Sequence, residues 1–247
     1  MKNAGRSGLC KNIDAVEALN NVRKNTALKE LGFTDELLST VHASRLSDGD
    51  YVTIITDLDK FGNRLAATPN TSFDNFKNII GKLTDNNTQN SQAAHWIIQD
   101  ITENMSDFAG KKWKIEFSVR NSDGNSAFID VALDGTPPKF IEYKWLTTST
   151  VGKDDFIREF IKRDLFNDKI TDLSQIEWRI KGQKLTKEKV VEYMKSAEGR
   201  EALNNQKTRD LINNYAESVS YSKYIRNTDD IIDFFNSNNE WFILIFK

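Results

Sequence analysis

Two apolar segments and the turn between them decide how this chain folds: Ala127-Phe-Ile-Asp-Val-Ala-Leu133, then Asp134-Gly-Thr-Pro-Pro138, then Phe140-Ile-Glu-Tyr-Lys-Trp145. Both segments are short, rich in β-branched and aromatic residues, and bounded by turn formers, which reads as two neighbouring strands of a hairpin. Side chains alternate along a strand. Glu142 and Lys144 therefore share one face with Phe140 and Leu146, while Ile141, Tyr143 and Trp145 point into the opposite layer. Asp130 sits in the middle of the preceding strand, where a hairpin register can place it beside Glu142.

The flanking sequence extends this hairpin into a sheet. Trp113 to Val119 alternates strictly and reads as a strand, followed by the hairpin turn Asn121-Ser-Asp-Gly-Asn125. Before it, Gln92 to Phe108 reads as a helix ended by Gly110. After it come an amphipathic helix from Lys153 to Phe166, a fourth strand from Gln175 to Ile180, and helices over Lys187–Asn204 and Lys207–Val219. Trp241 to Phe246 reads as a buried strand or C-terminal plug. The order helix, three strands, helix, strand implies an α/β fold with a mixed central sheet flanked by helices.

Upstream, residues 13–45 read as helices by apolar spacing. Tyr51 to Thr56 reads as a strand from its β-branched content, and a further helix is expected from Phe73 to Leu83. This is a mainly helical N-terminal extension with one strand. The polar run Asp85 to Ser91 is the best candidate for a boundary, giving regions 1–90 and 91–247.

Hydrophobic residues make up 38% and charged residues 28% of the 247, the balance of a folded chain rather than a disordered one. The 34 Lys and Arg against 36 Asp and Glu leave a net charge of -2, so bulk charge does not itself call for a nucleic-acid partner. A single cysteine, Cys10, excludes an internal disulfide and a cysteine-based metal cage, and two histidines, His42 and His95, argue against a multi-histidine site. No stretch approaches the ~18–20 apolar residues of a membrane span. Residues 1–12 read as a polar leader lacking the apolar core of a signal peptide.

The chemistry concentrates at the hairpin. Two carboxylates side by side in an apolar sheet repel, and a divalent cation between them removes that cost. Magnesium, or manganese in its place, takes oxygen ligands and keeps several waters. Asp130, Glu142 and the carbonyl of Tyr143 supply such a set. Lys144 would hold or activate a water and face phosphate oxygens as a compact cation.

An acid on one strand followed by Glu142-Tyr143-Lys144 on the next resembles the PD-(D/E)xK nuclease superfamily. In that family a glutamate on the helix preceding the sheet completes the set, and here Glu103 takes its place, with Asp100 on the same helix as a substitute. The stripe His95, Gln99 and Glu103 at i, i+4 spacing favours Glu103. The resemblance covers roughly residues 91–182 and departs from the family's name in one respect, Ile129 standing where the proline would be. It implies a restriction-endonuclease-like core, metal-dependent hydrolysis of phosphodiester bonds and catalytic residues Glu103, Asp130, Glu142 and Lys144. It favours DNA over RNA as the substrate, by family analogy. The compact core and polar leader also look like the C-terminal domain of a bacterial polymorphic toxin. Such a domain is delivered into the cytoplasm of a target cell and is neutralised in the producer by an immunity protein. A restriction or repair nuclease would look the same at the site.

Other features have competing readings. Basic residues gather after the hairpin, and Arg179 and Lys181 are the candidates for backbone-phosphate contact. Asp57-Leu-Asp59 after the expected strand could bind magnesium in a nucleotide enzyme, although a strand-ending turn explains it as well. A non-catalytic binding module with exposed acids is the third alternative.

Overall fold

The computed structural model describes residues 13–43, 47–85, 88–122, 124–133, 135–146, 150–182 and 185–247. Cys10 and the expected leader lie outside them, as does Asp134 of the hairpin turn. Five strands form one mixed sheet in chain order, β1-β2-β3-β4-β5, with helices around it, the α/β class expected from the element order. The chain divides into two compact units, 1–115 and 116–247, the division falling inside β2.

In the first unit, α1 (Ile13–Lys24), α2 (Thr26–Glu30) and α3 (Asp35–Ala43) precede the long helix α4 (Asp48–Ala66). The expected strand over Tyr51 to Thr56 is the second turn onward of α4. Its β-branched residues favoured a strand locally, but Tyr51, Ile54, Ile55, Leu58, Phe61 and Leu65 are all buried, and that spacing fits one helix face. Ser47 caps α4, its hydroxyl accepting the Asp50 N–H at 3.1 Å. At Gly62 a methyl group would sit 2.7 Å from Asn25 Nδ2 and 2.9 Å from Leu28, so α2 lies directly against a side-chain-free point of α4. Then come β1 (Ser72–Asp74), α5 (Lys77–Leu83), α6 (Thr88–Glu103) and α7 (Met105–Phe108), and β1 pairs in parallel with the first residues of β2 (Lys112–Arg120). An aromatic core of Phe61, Phe73, Phe76, Phe108 and Trp113 closes the unit, with Phe61 and Phe76 stacked at 4.8 Å.

In the second unit, β3 (Ser126–Leu133) runs antiparallel to β4 (Lys139–Leu146). A helical crossover, α8 (Lys153–Phe156) continuing as a π-helix (Ile157–Asp164), leads through a short 3-10 turn (Leu173–Gln175) to β5 (Ile176–Gly182), which pairs in parallel with β4. One face of this sheet, with Ala132, Phe140 and Trp178, packs on Phe156, Phe160, Ile161 and Leu165 of the crossover. Gly182 ends β5 opposite Leu146 with φ 107, and a Cβ there would meet the Leu146 carbonyl oxygen at 1.6 Å, so only glycine closes this end of the pair. Next come α9 (Lys187–Lys195), α10 (Ala197–Leu203), α11 (Gln206–Ser218), α12 (Thr228–Ser237) and α13 (Glu240–Ile245). Ser196 caps α10 and divides the single helix expected over 187–204. Of the two readings of the C-terminal segment, strand or plug, the strand gives way to a helix that buries Trp241 and Ile245. Only its last residues reach the sheet, Phe246 bridging to Trp178 and Lys247 exchanging backbone hydrogen bonds with Trp178 and Ile180. Among the described residues, no helix is long and apolar enough to cross a membrane.

Candidate functional site

The β3–β4 register pairs Leu133 with Lys139, Ala132 with Phe140 and Val131 with Ile141, and one further step sets Asp130 opposite Glu142. At that step the side chain of β3 replaces its backbone as partner: Asp130 Oδ2 accepts the Tyr143 N–H at 2.9 Å. In an extended strand the N–H and C=O of one residue leave by the same edge, so the Tyr143 carbonyl also faces β3. The structure thus brings together the aspartate, the glutamate and the carbonyl expected from the sequence.

Glu142 is 5% exposed and lies beneath the crossover helix. Its Oε1 accepts from the Lys144 ammonium at 2.7 Å. The Arg163 guanidinium stands 3.0 Å from Oε2, yet no N–H is aligned with that oxygen, which is buried without a hydrogen-bond donor among the described residues. Burial, and then the charge of Asp130, push the Glu142 carboxyl up to about 7, against the opposing pull of Lys144 and Arg163.

Lys144 also donates to Glu159 on the π-helix, and its ammonium lies 5.4 Å from the Trp178 ring centroid. Burial alone would lower its pKa, but Glu142, Glu159 and Asp130 outweigh it and raise the value above the ordinary lysine range. Glu159 receives a second donor, Arg158, at 2.8 Å. Burial would raise its carboxyl, but Lys144, Arg163 and Arg158 hold it down at about 2. Arg163, 3% exposed, is fixed by Asp164 at 2.6 Å and by the Phe128 carbonyl at 2.8 Å, and Asp164 in turn accepts the Trp178 indole N–H at 2.8 Å. Glu159 escaped the sequence reading, and Arg163 entered it only as one of the basic residues that gather after the hairpin. The signal for them was present: two charges four residues apart bordering the Phe156 and Phe160 stripe of an amphipathic helix.

The remaining expected residues make contacts within their own units. Glu103 ends α6 in the first unit, exposed, and lines a groove of about 430 Å³ with Lys60, Asn63, Arg64 and Thr102. Its helix neighbours His95 and Gln99 are committed to Asp57, each 2.8 Å from Oδ2. These bonds, with one from Lys60, hold the Asp57 carboxyl at about 2 although burial opposes them. Asp59, two residues on, bonds Asn21 and Asn63 instead. Residues two apart on a helix do not face each other, so the expected strand-end Asp-x-Asp pair is absent. Arg179 and Lys181 pair with Tyr143 and Trp145 in the β4–β5 register, on the face away from Glu142 and Lys144. Arg179 is buried against Glu177 at 2.6 Å, and Lys181 lies 4.5 Å from the Trp145 ring centroid.

No protein-family model, no curated protein and no solved structure matches the chain.

Proposed function

We propose that the protein is a divalent-cation-dependent nuclease whose site is Asp130, Glu142, the Tyr143 carbonyl and Lys144. The observation that carries this reading is the Glu142 carboxylate: buried, one register step beyond the Val131–Ile141 pair and so beside Asp130, with Oε2 ion-paired to Arg163 at 3.0 Å but without an aligned hydrogen bond. Two neighbouring carboxylates oppose each other's ionisation, as the raised Glu142 carboxyl reflects, and a cation held between them removes that cost. Among the described residues, no group of three or more His, Cys, Asp or Glu is arranged to hold a metal ion. Two carboxylates and a carbonyl nevertheless suit magnesium or manganese, because such ions fill the rest of their shell with water and substrate phosphate.

A cation there would supply charge neutralisation at the phosphate and acidify a water. The protein's own residues do the rest. Lys144, held protonated by the surrounding carboxylates, acts as a donor to a phosphate oxygen or the incoming water and not as the base. Arg163 fixes the side of Glu142 that faces away from Lys144. The Phe160 and Trp178 layer behind the cluster keeps bulk water from screening these charges. DNA as substrate, and a toxin-effector setting with an immunity partner, rest on the superfamily resemblance alone.

Cleavage of plasmid DNA and of a structured RNA, with magnesium and with EDTA, tests the proposal in wild type, Glu142→Ala and Lys144→Ala. Cutting should need the cation and disappear in both variants. Magnesium-dependent cutting that survives Glu142→Ala would falsify it.

A further inference from the structure

Lys144 has two carboxylate partners, and they are not equivalent. Glu142 lies on its own strand and faces Asp130 across the hairpin, where the proposed cation would draw it away. Glu159 comes from the crossover and is itself tied down: Arg158 binds its other oxygen at 2.8 Å, Asp155 holds Arg158 at 2.6 Å, and Arg163 stands 4.0 Å off. The segment that presents it, Ile157 to Asp164, is a π-helix. This wide-turned geometry is rare and frequently falls at functional sites.

We propose that Glu159 is the positioning residue for Lys144, holding the ammonium in place when Glu142 turns to a cation. The inference rests on the nuclease reading for its purpose but not for its geometry. A lysine on a flexible stem left with no fixed partner would sample many rotamers, and a poorly placed donor forfeits most of its value in the transition state. Glu159 therefore acts through Lys144 and touches neither phosphate nor cation.

Two measurements on the full chain test it. The first is steady-state cleavage by Glu159→Gln and Glu159→Asp. Glu159→Gln should lower kcat on the order of 10- to 100-fold, the range of residues that orient a site's ligands, with KM changed less than about two-fold. Glu159→Asp should recover part of the loss. The second is the side-chain ammonium resonance of Lys144 in a nitrogen–proton NMR spectrum, assigned by its loss in Lys144→Arg. A held ammonium exchanges slowly and stays visible. It should persist in wild type with magnesium added and vanish in Glu159→Gln. A wild-type kcat in Glu159→Gln overturns the proposal, as does an ammonium signal that survives in that variant or is absent from wild type. If wild type cuts no nucleic acid, the nuclease reading falls and the resonance alone still decides whether Glu159 anchors Lys144.

Discussion

Asp130 Oδ2 accepts the Tyr143 backbone N–H at 2.9 Å, so an acidic side chain occupies the place in the β3–β4 ladder where a carbonyl would stand. That substitution brings the carboxylate next to Glu142 and opens the hairpin edge towards which the Tyr143 carbonyl points.

Asp130→Asn separates the hydrogen bond from the charge. The amide oxygen can still accept from Tyr143, so the melting temperature should stay within a few degrees of wild type. The negative charge is gone, and cleavage should fall on the order of 100-fold with magnesium affinity lost in calorimetric titration. A variant that binds magnesium as wild type does would remove Asp130 from the site.

Glu142 gives the fold a pH dependence of unusual sign. Its carboxyl is at about 7 in the fold against 4.5 for an unperturbed glutamate. Between those values the folded protein binds more protons than the unfolded chain, so this group's contribution falls as pH rises from ~4.5 to ~7, a cost on the order of 1–3 kcal/mol. Glu142→Gln should melt higher than wild type at pH 8 and equal to it near pH 4.5. Magnesium should raise the wild-type melting temperature at pH 8 and leave that of the variant unchanged. Thermal denaturation across pH with and without magnesium reads both effects.

Asp57 behaves in the opposite way. Its carboxyl, at about 2 in the fold against 3.8 unperturbed, contributes stability above ~pH 4 that is lost as pH falls towards 2. Asp57→Ala leaves His95 and Gln99 without their acceptor and should cost ~1–3 kcal/mol in denaturant unfolding. Its kcat should match wild type. A large drop in kcat in a variant that is otherwise folded would revive a magnesium chemistry centred on Asp57.

Gly182→Ala should cost on the order of 3 kcal/mol or more, because the added methyl meets the Leu146 carbonyl oxygen at 1.6 Å and φ is 107. Chemical denaturation gives the number, and a loss under ~0.5 kcal/mol, the range of an unremarkable surface change, would show that the β4–β5 end closes differently.

How far the sequence could be read varied with the range of the contacts involved. The hairpin was legible because strand alternation and turn chemistry are local, and these placed Glu142 and Lys144 on one face and Tyr143 on the other. The helix over Tyr51 to Thr56 was misread because six consecutive residues looked like a strand, whereas burial at Leu58, Phe61 and Leu65 extends the helical period beyond them. The sequence marks Glu159 and Arg163 as charges bordering an apolar helix stripe, but only the crossover's packing on β4 and β5 makes them neighbours of Lys144. Arg179 and Lys181 looked like surface cations by composition. The parallel register puts them on the other face, and Arg179 is spent on Glu177.

Anomalous diffraction from crystals soaked in manganese tests the central claim most directly. The account predicts one strong peak between Asp130 and Glu142, at a coordination distance of about 2.1 Å from an oxygen of each, and no such peak in Glu142→Gln. Manganese bound elsewhere, or no peak at this site in a protein that cleaves nucleic acid with the same ion, would contradict it.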